Sequence, residues 1–303
     1  MFVNDSLSEY SKRDLVKLLE KLKEYKLSLR DKLSISEKET FGFEIECEEA
    51  NWHEIYINKE NDWPLVDDMS LCFGAELKSP ILINTKENWL TLKRMCDLVS
   101  QNAELGANCG GHVHIGIQSL GKERESLINF MKLWALYEHI IFRFSYNEFL
   151  GPRFGLYTTA KPVKDDFLRL IYNYEHKYID YEDLICFLSK EKYKAVNFKH
   201  LDSLGTIEFR CPNGTFNPTI WQNNVNLFVK MLKYSSSNKF DKEFINKRID
   251  QISIKEPNKI YLKDALELAD LIFDNNLDKI YFLKQYLKSF EKSNEYKLAK
   301  TFS

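Results

Sequence analysis

The sequence predicts an α+β protein built on a β-sheet with one apolar face and one charged face. Segments that alternate between apolar and polar residues are typical of strands, and here they occur between longer segments with the helical spacing of apolar residues. Four of the strand segments carry carboxylate, imidazole or guanidinium groups at their polar positions. A chain of 303 residues with 44% hydrophobic residues can bury a large core.

Composition narrows the classes of function. The 43 basic and 45 acidic residues nearly balance, which argues against a dedicated nucleic-acid-binding protein. The six cysteines form no CxxC pair, so we expect reduced thiols in a reducing compartment. The N-terminus lacks the pattern of a signal peptide, and no apolar stretch reaches the roughly 20 residues needed to span a bilayer. We therefore expect a cytoplasmic protein without a membrane partner.

The first two elements are predicted to be a helix and a strand. Leucines at helical spacing predict one amphipathic helix over residues 8–34, whose role is packing or a contact in a homo-oligomer. Residues 40–48 alternate strictly, so Phe43 and its apolar neighbours face one side of a strand while Glu44 and Glu46 face the other. Two glutamates on one strand face repel each other unless a cation lies between them.

Residues 51–83 are predicted to hold short strands and turns. Glu76 lies there in an otherwise apolar stretch, and burial of a carboxylate is costly unless it is paired or binds a metal. A helix is predicted over residues 86–104, with Asn84 and Glu87 as its capping pair.

The next strand brings two imidazoles to one face. His112 and His114 are two residues apart in Gly111–Gly116, so their side chains point the same way. The adjoining glycines keep bulk away and would let a ligand approach the backbone. An isolated His-x-His pair is as compatible with a structural role as with a ligand-binding site. The residues on the other strands distinguish the two interpretations.

The remainder of the chain continues the same alternation. Arg153 stands alone in a loop, and in the segment 205–211 Glu208 and Arg210 share the polar face of a strand. The other predictions are helices at 123–149, 165–190 and 218–232, a strand at 193–198, and two or three helices in the tail from about 240, with breaks near 236–239 and 254–259. We divide the chain into an N-terminal helix (1–37), a catalytic domain (38–235) and a C-terminal helical extension (236–303).

If these strands are neighbours in one sheet, four carboxylates, two imidazoles and one guanidinium meet on its face. Carboxylates this close need cations, since like charges raise each other's pKa. Hard divalent ions such as Mg²⁺ or Mn²⁺ suit such oxygen ligands, and more than one ion would be needed. Metal ions beside an arginine are typical of phosphoryl transfer or metal-dependent hydrolysis.

Four motifs in this order resemble the glutamine-synthetase-like carboxylate–amine ligases, and within them the amidoligase family. They are FGFEIE at 41–46, GAELKSPIL at 74–82, CGGHVHIG at 109–116 and GTIEFR at 205–210, and the resemblance covers roughly residues 38–235. It implies a curved, mainly antiparallel sheet with helices on its convex face. It also implies ATP with two or more Mg²⁺ or Mn²⁺ ions, and amide formation from a small-molecule or peptide carboxylate and an amine through an acyl phosphate.

The resemblance also implies roles for individual residues. Glu208 resembles the metal ligand of the last strand, and Arg210 the arginine that contacts the transferred phosphate. Asp68 is an extra acidic ligand or an amine-recognition group, while Arg153 and Asn197 are candidates for phosphate or substrate contact. The remaining roles are metal ligation by Glu44, Glu46, Glu76 and His112, and a position toward the nucleotide for His114.

Three alternatives stay open. A metal-dependent amide hydrolase would use the same residues without a nucleotide. A transamidase or peptidase would use Cys109 as its nucleophile, which leaves the glutamate strands unexplained. A non-catalytic binding protein could retain the fold alone. The identities of the acid, the amine and the general base do not follow from the sequence.

Overall fold

A computed structural model describes residues 22, 25–71, 73–121 and 123–288 of the chain. Its centre is an open sheet of the strands β1 Thr40–Cys47, β2 Leu65–Asp67, β3 Ala75–Lys78, β4 Leu82–Ile83, β5 Gly111–Gly116, β6 Val196–Asn197 and β7 Thr206–Phe209. The order in the sheet is β2-β3-β1-β5-β7-β6, with β4 also paired to β1. All pairings between these strands are antiparallel, as predicted.

Helices cover the apolar face of this sheet. The helix Arg124–Ser145 (α3) is buried along almost its whole length. The helix Pro218–Ser235 (α8) joins it in the core, where Phe228 of α8 stacks on Phe209 of β7 with ring centroids 4.0 Å apart. The helices are α1 Trp52–Asn58, α2 Lys86–Asn102, α3 Arg124–Ser145, α4 Leu156–Thr159, α5 Lys164–Glu175, α6 Tyr181–Ser189, α7 Leu201–Leu204, α8 Pro218–Ser235, α9 Lys242–Asp250, α10 Leu262–Ile272 and α11 Asn276–Leu287. The helices after residue 240 contact α3, and α10 and α11 also contact α8.

The predicted division of strand faces is confirmed. Phe41, Phe43, Ile45 and Cys47 are all buried in the hydrophobic core. Their side chains therefore hold β1 against the helices, while the alternate positions of β1 face the opposite side. The tail breaks near 236–239 and 254–259 are also confirmed, since helices end at Ser235 and Asp250 and begin again at Lys242 and Leu262.

Several local predictions were wrong. The predicted helix 8–34 fails over residues 25–34, which form no regular element, and most of its earlier part lies outside the described residues. The segment 51–83 contains the helix α1, which begins after Asn51, whose side chain accepts a hydrogen bond from the Glu54 backbone N–H. This is the side-chain cap that satisfies an otherwise unpaired donor at a helix start.

The cap of α2 was assigned to the wrong residue. Thr85 accepts from the Asn88 N–H, while Asn84 donates to the carbonyls of Leu33 and Ile35. The Asn84 side chain, which the local pattern assigned to the cap, therefore makes a tertiary contact instead. The predicted helix 165–190 is two helices, α5 and α6, and the strand predicted at 193–198 is reduced to the two residues of β6.

Five cysteines lie in the described part of the chain, and all of them are free thiols. Four of these are buried and one, Cys186, is exposed. Within the same residues, no helix combines the length and the apolar character needed to cross a membrane. The division into three domains remains a prediction.

Candidate active site

The register of β1 with its two neighbours assembles a first cluster. Glu44 on β1 is opposite His112 on β5 and Lys78 on β3, and Glu46 is opposite Glu76 on β3. Glu44 Oε2 is 2.7 Å from His112 Nδ1. Glu44, Glu76 and His112 each place one ligand atom within 4.8 Å of the others, a spacing that can hold a metal ion.

A second cluster extends from the same glutamate toward β7. His114 is opposite Glu208, and its Nε2 is 3.4 Å from Glu44 Oε1. Glu44, His114 and Glu208 form another group with mutual spacings within 4.8 Å. Arg210 pairs with Glu208 Oε1, and Asn197 Nδ2 donates to Glu208 Oε2 at 2.6 Å. Glu44 therefore belongs to both groups, and His114 lies in a group that can bind a metal.

The surroundings of Glu44 and Glu76 shift the pKa values of these two carboxyl groups in opposite directions. Burial would raise the pKa of Glu44, but hydrogen bonds with His112 and His114 outweigh it, and the pKa falls well below its ordinary value. Burial, together with the nearby charge of Glu44, raises the pKa of Glu76 to about 8 in spite of Lys78. Glu44 is thus held in its charged form, while the neutral form of Glu76 is favoured. A divalent cation bound between the two would favour the charged form of both.

Glu208 behaves like Glu44. Burial favours its neutral form, but the charges of His112 and Arg210 dominate, and they lower its pKa. The carboxylate is almost fully buried, with 1% of its surface exposed. An ionised, buried group of this kind is held by specific partners, which is typical of functional sites.

Glu46 and Arg153 organise the loops beside the clusters. Glu46 accepts a hydrogen bond from the Gly110 N–H and is 3.4 Å from His112 Nε2, but it belongs to neither ligand group. Arg153 is buried, and its terminal nitrogens donate to the carbonyls of Pro212 at 2.6 Å and Arg210 at 3.1 Å. These contacts fix the end of β7, and the predicted phosphate contact of Arg153 stays a prediction.

All ten predicted site residues line one cleft or contact a residue that does. The cleft has a volume of about 880 Å³. Asp68 contributes to its wall, where its Oδ1 accepts from the Ser70 N–H at 2.9 Å and from the Ser70 hydroxyl at 2.6 Å. Of the predicted residues only Asn197 is not in the wall, and it reaches the cleft through Glu208.

Sequence reasoning missed several residues of this cleft. Lys78 follows Glu76 by two positions and so shares its face, a signal that strand alternation already contained. His200 follows β6, and its Nε2 is 3.8 Å from Glu208 Oε2, a contact that no local pattern predicts. Other wall residues without a predicted role are Asp67, Ser70, Asn108, Thr158, Thr159, Lys192, Tyr193, Lys199 and Leu204.

The glycines before His112 allow close packing of the protein, whereas the sequence predicted that they admit a ligand. A Cβ on Gly111 would lie 2.7 Å from the Trp221 ring and 2.9 Å from the Asn213 carbonyl. The space at Gly111 is therefore filled by the core, and the expectation that it admits a ligand was wrong. At Gly110 a Cβ would meet the Arg153 guanidinium at 3.0 Å.

The two ligand groups fit a hard divalent cation. They offer carboxylate oxygens and imidazole nitrogens, which suit Mg²⁺ or Mn²⁺. An antiparallel sheet whose polar face carries such groups in a cleft defines an enzyme-like site with the capacity to bind metal.

Comparison with known families agrees with this class. The model of a family described as "Putative amidoligase enzyme" matches residues 54–232, which is more than half of the chain. The chain therefore belongs to this amidoligase family, and membership indicates an enzyme of the ligase type. The match includes the strands that carry Glu76, His112 and Glu208 but begins after β1. A search of curated proteins found no match.

Proposed function

We propose that this protein is an ATP-dependent amidoligase that joins a carboxylate and an amine through an acyl phosphate. The proposal depends chiefly on one observation, the sharing of Glu44 between two groups able to bind a metal. Two ions on one carboxylate would provide the positive charge that a triphosphate needs in a cleft lined by glutamates. We also propose that the sheet has the curvature and topology of the glutamine-synthetase-like ligases.

In this function, Glu44, Glu76 and His112 would hold one divalent ion, and Glu44, His114 and Glu208 would hold the other. Bound there, the ions would shield phosphate charge from an approaching carboxylate. Glu46, a predicted ligand, instead has the contacts of a group that positions the loop at Gly110. Small movements of its side chain would be needed for it to join the first group.

Arg210 supplies the remaining positive charge. Its guanidinium is anchored by Glu208 and lies in the wall of the cleft, so it can donate to phosphate oxygens as charge develops during transfer. Arg153 and Asn197 would act indirectly, because Arg153 binds the carbonyl of Arg210 and Asn197 orients Glu208.

The amine needs a group that accepts its proton. Asp68 lies in the wall of the cleft, and its carboxylate accepts hydrogen bonds from the backbone N–H and the hydroxyl of Ser70. We propose that Asp68 binds the attacking amine or accepts its proton, since an ionised carboxylate can serve either purpose.

The cysteine alternative is disfavoured by burial. Cys109 is 1% exposed, and burial raises the pKa of its thiol, whereas a nucleophilic cysteine needs a lowered pKa and access to substrate. Cys109 is also absent from the wall of the cleft. The metal-dependent hydrolase remains the competing function, since it would use the same ligand groups.

The decisive experiment is a screen of acid and amine pairs for ADP formation with ATP and Mg²⁺, with mass spectrometry of the product. We expect ADP release that requires both substrates, and a product heavier than the acid by the amine minus water. Glu208→Gln should reduce turnover by about a hundredfold or more. Glu37→Gln, which changes an exposed ion pair with Lys32, should leave turnover unchanged. Amide hydrolysis with Mg²⁺ and no ATP would instead establish the hydrolase.

A further inference from the structure

Lys78 connects the carboxylates of the first ligand group. Its Nζ is 3.1 Å from Glu44 Oε1 and 2.9 Å from Glu76 Oε2. Both glutamate side chains are largely buried, with 17% and 12% of their surface exposed, whereas 37% of Lys78 is exposed. The ammonium therefore reaches the two carboxylates from the solvent side of the cleft.

The same two carboxylates are the oxygen donors of the group completed by His112. A divalent ion bound to them would lie within a few ångströms of the ammonium. Two positive charges this close repel each other strongly at the effective dielectric of a protein surface. The ammonium and the metal ion therefore compete for one position.

The partial exposure of Lys78 allows the exchange. Four rotatable bonds let a lysine side chain leave an ion pair without movement of the backbone. Glu44 and Glu76 have less freedom, because their side chains are shorter and more buried than that of Lys78. Hence the lysine moves and the carboxylates stay.

We infer that Lys78 is the internal counter-ion of the first metal site, which it occupies until a divalent cation displaces it. This inference rests on the proposed function, which places a metal at Glu44, Glu76 and His112. Lys78 keeps the carboxylates together in the metal-free protein and lowers the affinity for the first ion. Binding of metal releases the ammonium within the cleft, of which Lys78 forms part of the wall.

The test is titration of the full-length protein with Mn²⁺ alone, by calorimetry and by electron paramagnetic resonance. Lys78→Met removes the ammonium and retains a side chain of similar length, and its Kd for Mn²⁺ should fall by about tenfold or more. Lys78→Arg retains the charge and should bind Mn²⁺ no more tightly than the wild type. Lys192→Met removes the same charge elsewhere in the wall of the cleft, and its Kd should stay within about twofold of the wild-type value.

Thermal unfolding gives a second readout. Without metal, Lys78→Met should melt below the wild type, because its carboxylates lack a counter-ion, and Mn²⁺ should raise its melting temperature more than that of the wild type. If Lys78→Met and wild type bind Mn²⁺ equally and respond equally in melting, the counter-ion role is wrong while the proposed metal site stands. If neither binds Mn²⁺ at millimolar concentration, the metal site of the proposed function is wrong as well.

Discussion

Glu44 and His112 face each other across β1 and β5, with the Glu44 carboxylate 2.7 Å from His112 Nδ1. This pair links the two ligand groups, because Glu44 belongs to both and His112 Nδ1 is also 3.5 Å from Glu208 Oε1. Consequently a change at Glu44 should affect both candidate metal positions, whereas a change at Glu76 or at Glu208 should affect one.

Glu44→Gln should abolish binding of both ions. The amide is a neutral and weaker metal ligand, so we expect Mn²⁺ binding to be lost at both positions. The rate of the amide-forming reaction should fall by about a hundredfold or more. Calorimetric titration gives the number of ions bound, and coupled ADP release gives turnover.

Glu46→Gln is the matched control on the same strand. Glutamine can still accept the hydrogen bond from the Gly110 N–H, and position 46 lies outside both ligand groups. We expect two ions to bind with affinities within about tenfold of the wild-type values. Loss of one ion in this variant would show that Glu46 is a ligand, as first predicted from the sequence.

Arg153→Ala should destabilise the protein more than it weakens ATP binding. The guanidinium is buried and donates to the carbonyls of Pro212 and Arg210, which would lose their donors. Unsatisfied buried groups of this kind cost about 2–4 kcal/mol in total. Urea unfolding measures the loss, and the KM for ATP tests the alternative role. Arg169→Ala, which removes an exposed pair with Asp166, is expected to change stability little.

A raised KM for ATP with unchanged stability would contradict this assignment. In that case the guanidinium would contact phosphate directly, as the resemblance to the ligases implied. If Arg153→Ala loses both stability and ATP binding, Arg153→Lys separates the two roles. Lysine preserves the positive charge but cannot donate to two carbonyls in the same way.

The charged face was predictable because strand alternation is a local property. Two-residue periodicity places Glu44 with Glu46, and His112 with His114, on one face whatever the surroundings. The order of the strands did not follow from periodicity, and the antiparallel arrangement came from the resemblance to a family. The register that gives Glu44 to both ligand groups is fixed by pairing between distant segments, which no single segment encodes.

Residues whose role depends on distant partners could not be assigned correctly. Asn84 has the local signature of a helix cap, but it bonds the carbonyls of Leu33 and Ile35 instead. Arg153 stands alone in its loop, and its acceptors are about 60 residues away, at Pro212 and Arg210. Lys78 was predictable in position, since it follows Glu76 by two residues, but not in its contact with Glu44.

Gly111→Ala should destabilise the fold at the strand that carries the histidines. The new Cβ would lie 2.7 Å from the buried Trp221 ring, closer than van der Waals contact permits. Such overpacking costs about 1–3 kcal/mol. Gly151→Ala is the control, because its Cβ would meet no atom within 4 Å. Chemical denaturation of both variants checks the difference, and equal stabilities would mean that Trp221 moves aside freely.

A last prediction concerns acid stability at the contact between α3 and α10. Asp264 Oδ2 is 2.8 Å from His139 Nε2, and the same oxygen pairs with Lys255. Burial would raise the pKa of Asp264, but hydrogen bonds with His139 and Lys255 outweigh it and lower the pKa from 3.8 to about 2. The folded protein thus retains the charged form at a pH where the unfolded chain takes up a proton.

This shift fixes the sign of the pH dependence. A lowered carboxyl pKa stabilises the fold above the unfolded value of 3.8, and that contribution is lost as the pH falls toward 2. Asp264→Asn should therefore be less stable than the wild type at neutral pH, with a difference that shrinks between pH 4 and pH 2. Urea unfolding at several pH values measures it. Asp31→Asn, in an exposed pair with Lys86, should follow the wild-type curve, and a constant gap for Asp264→Asn would show that its pKa is unshifted.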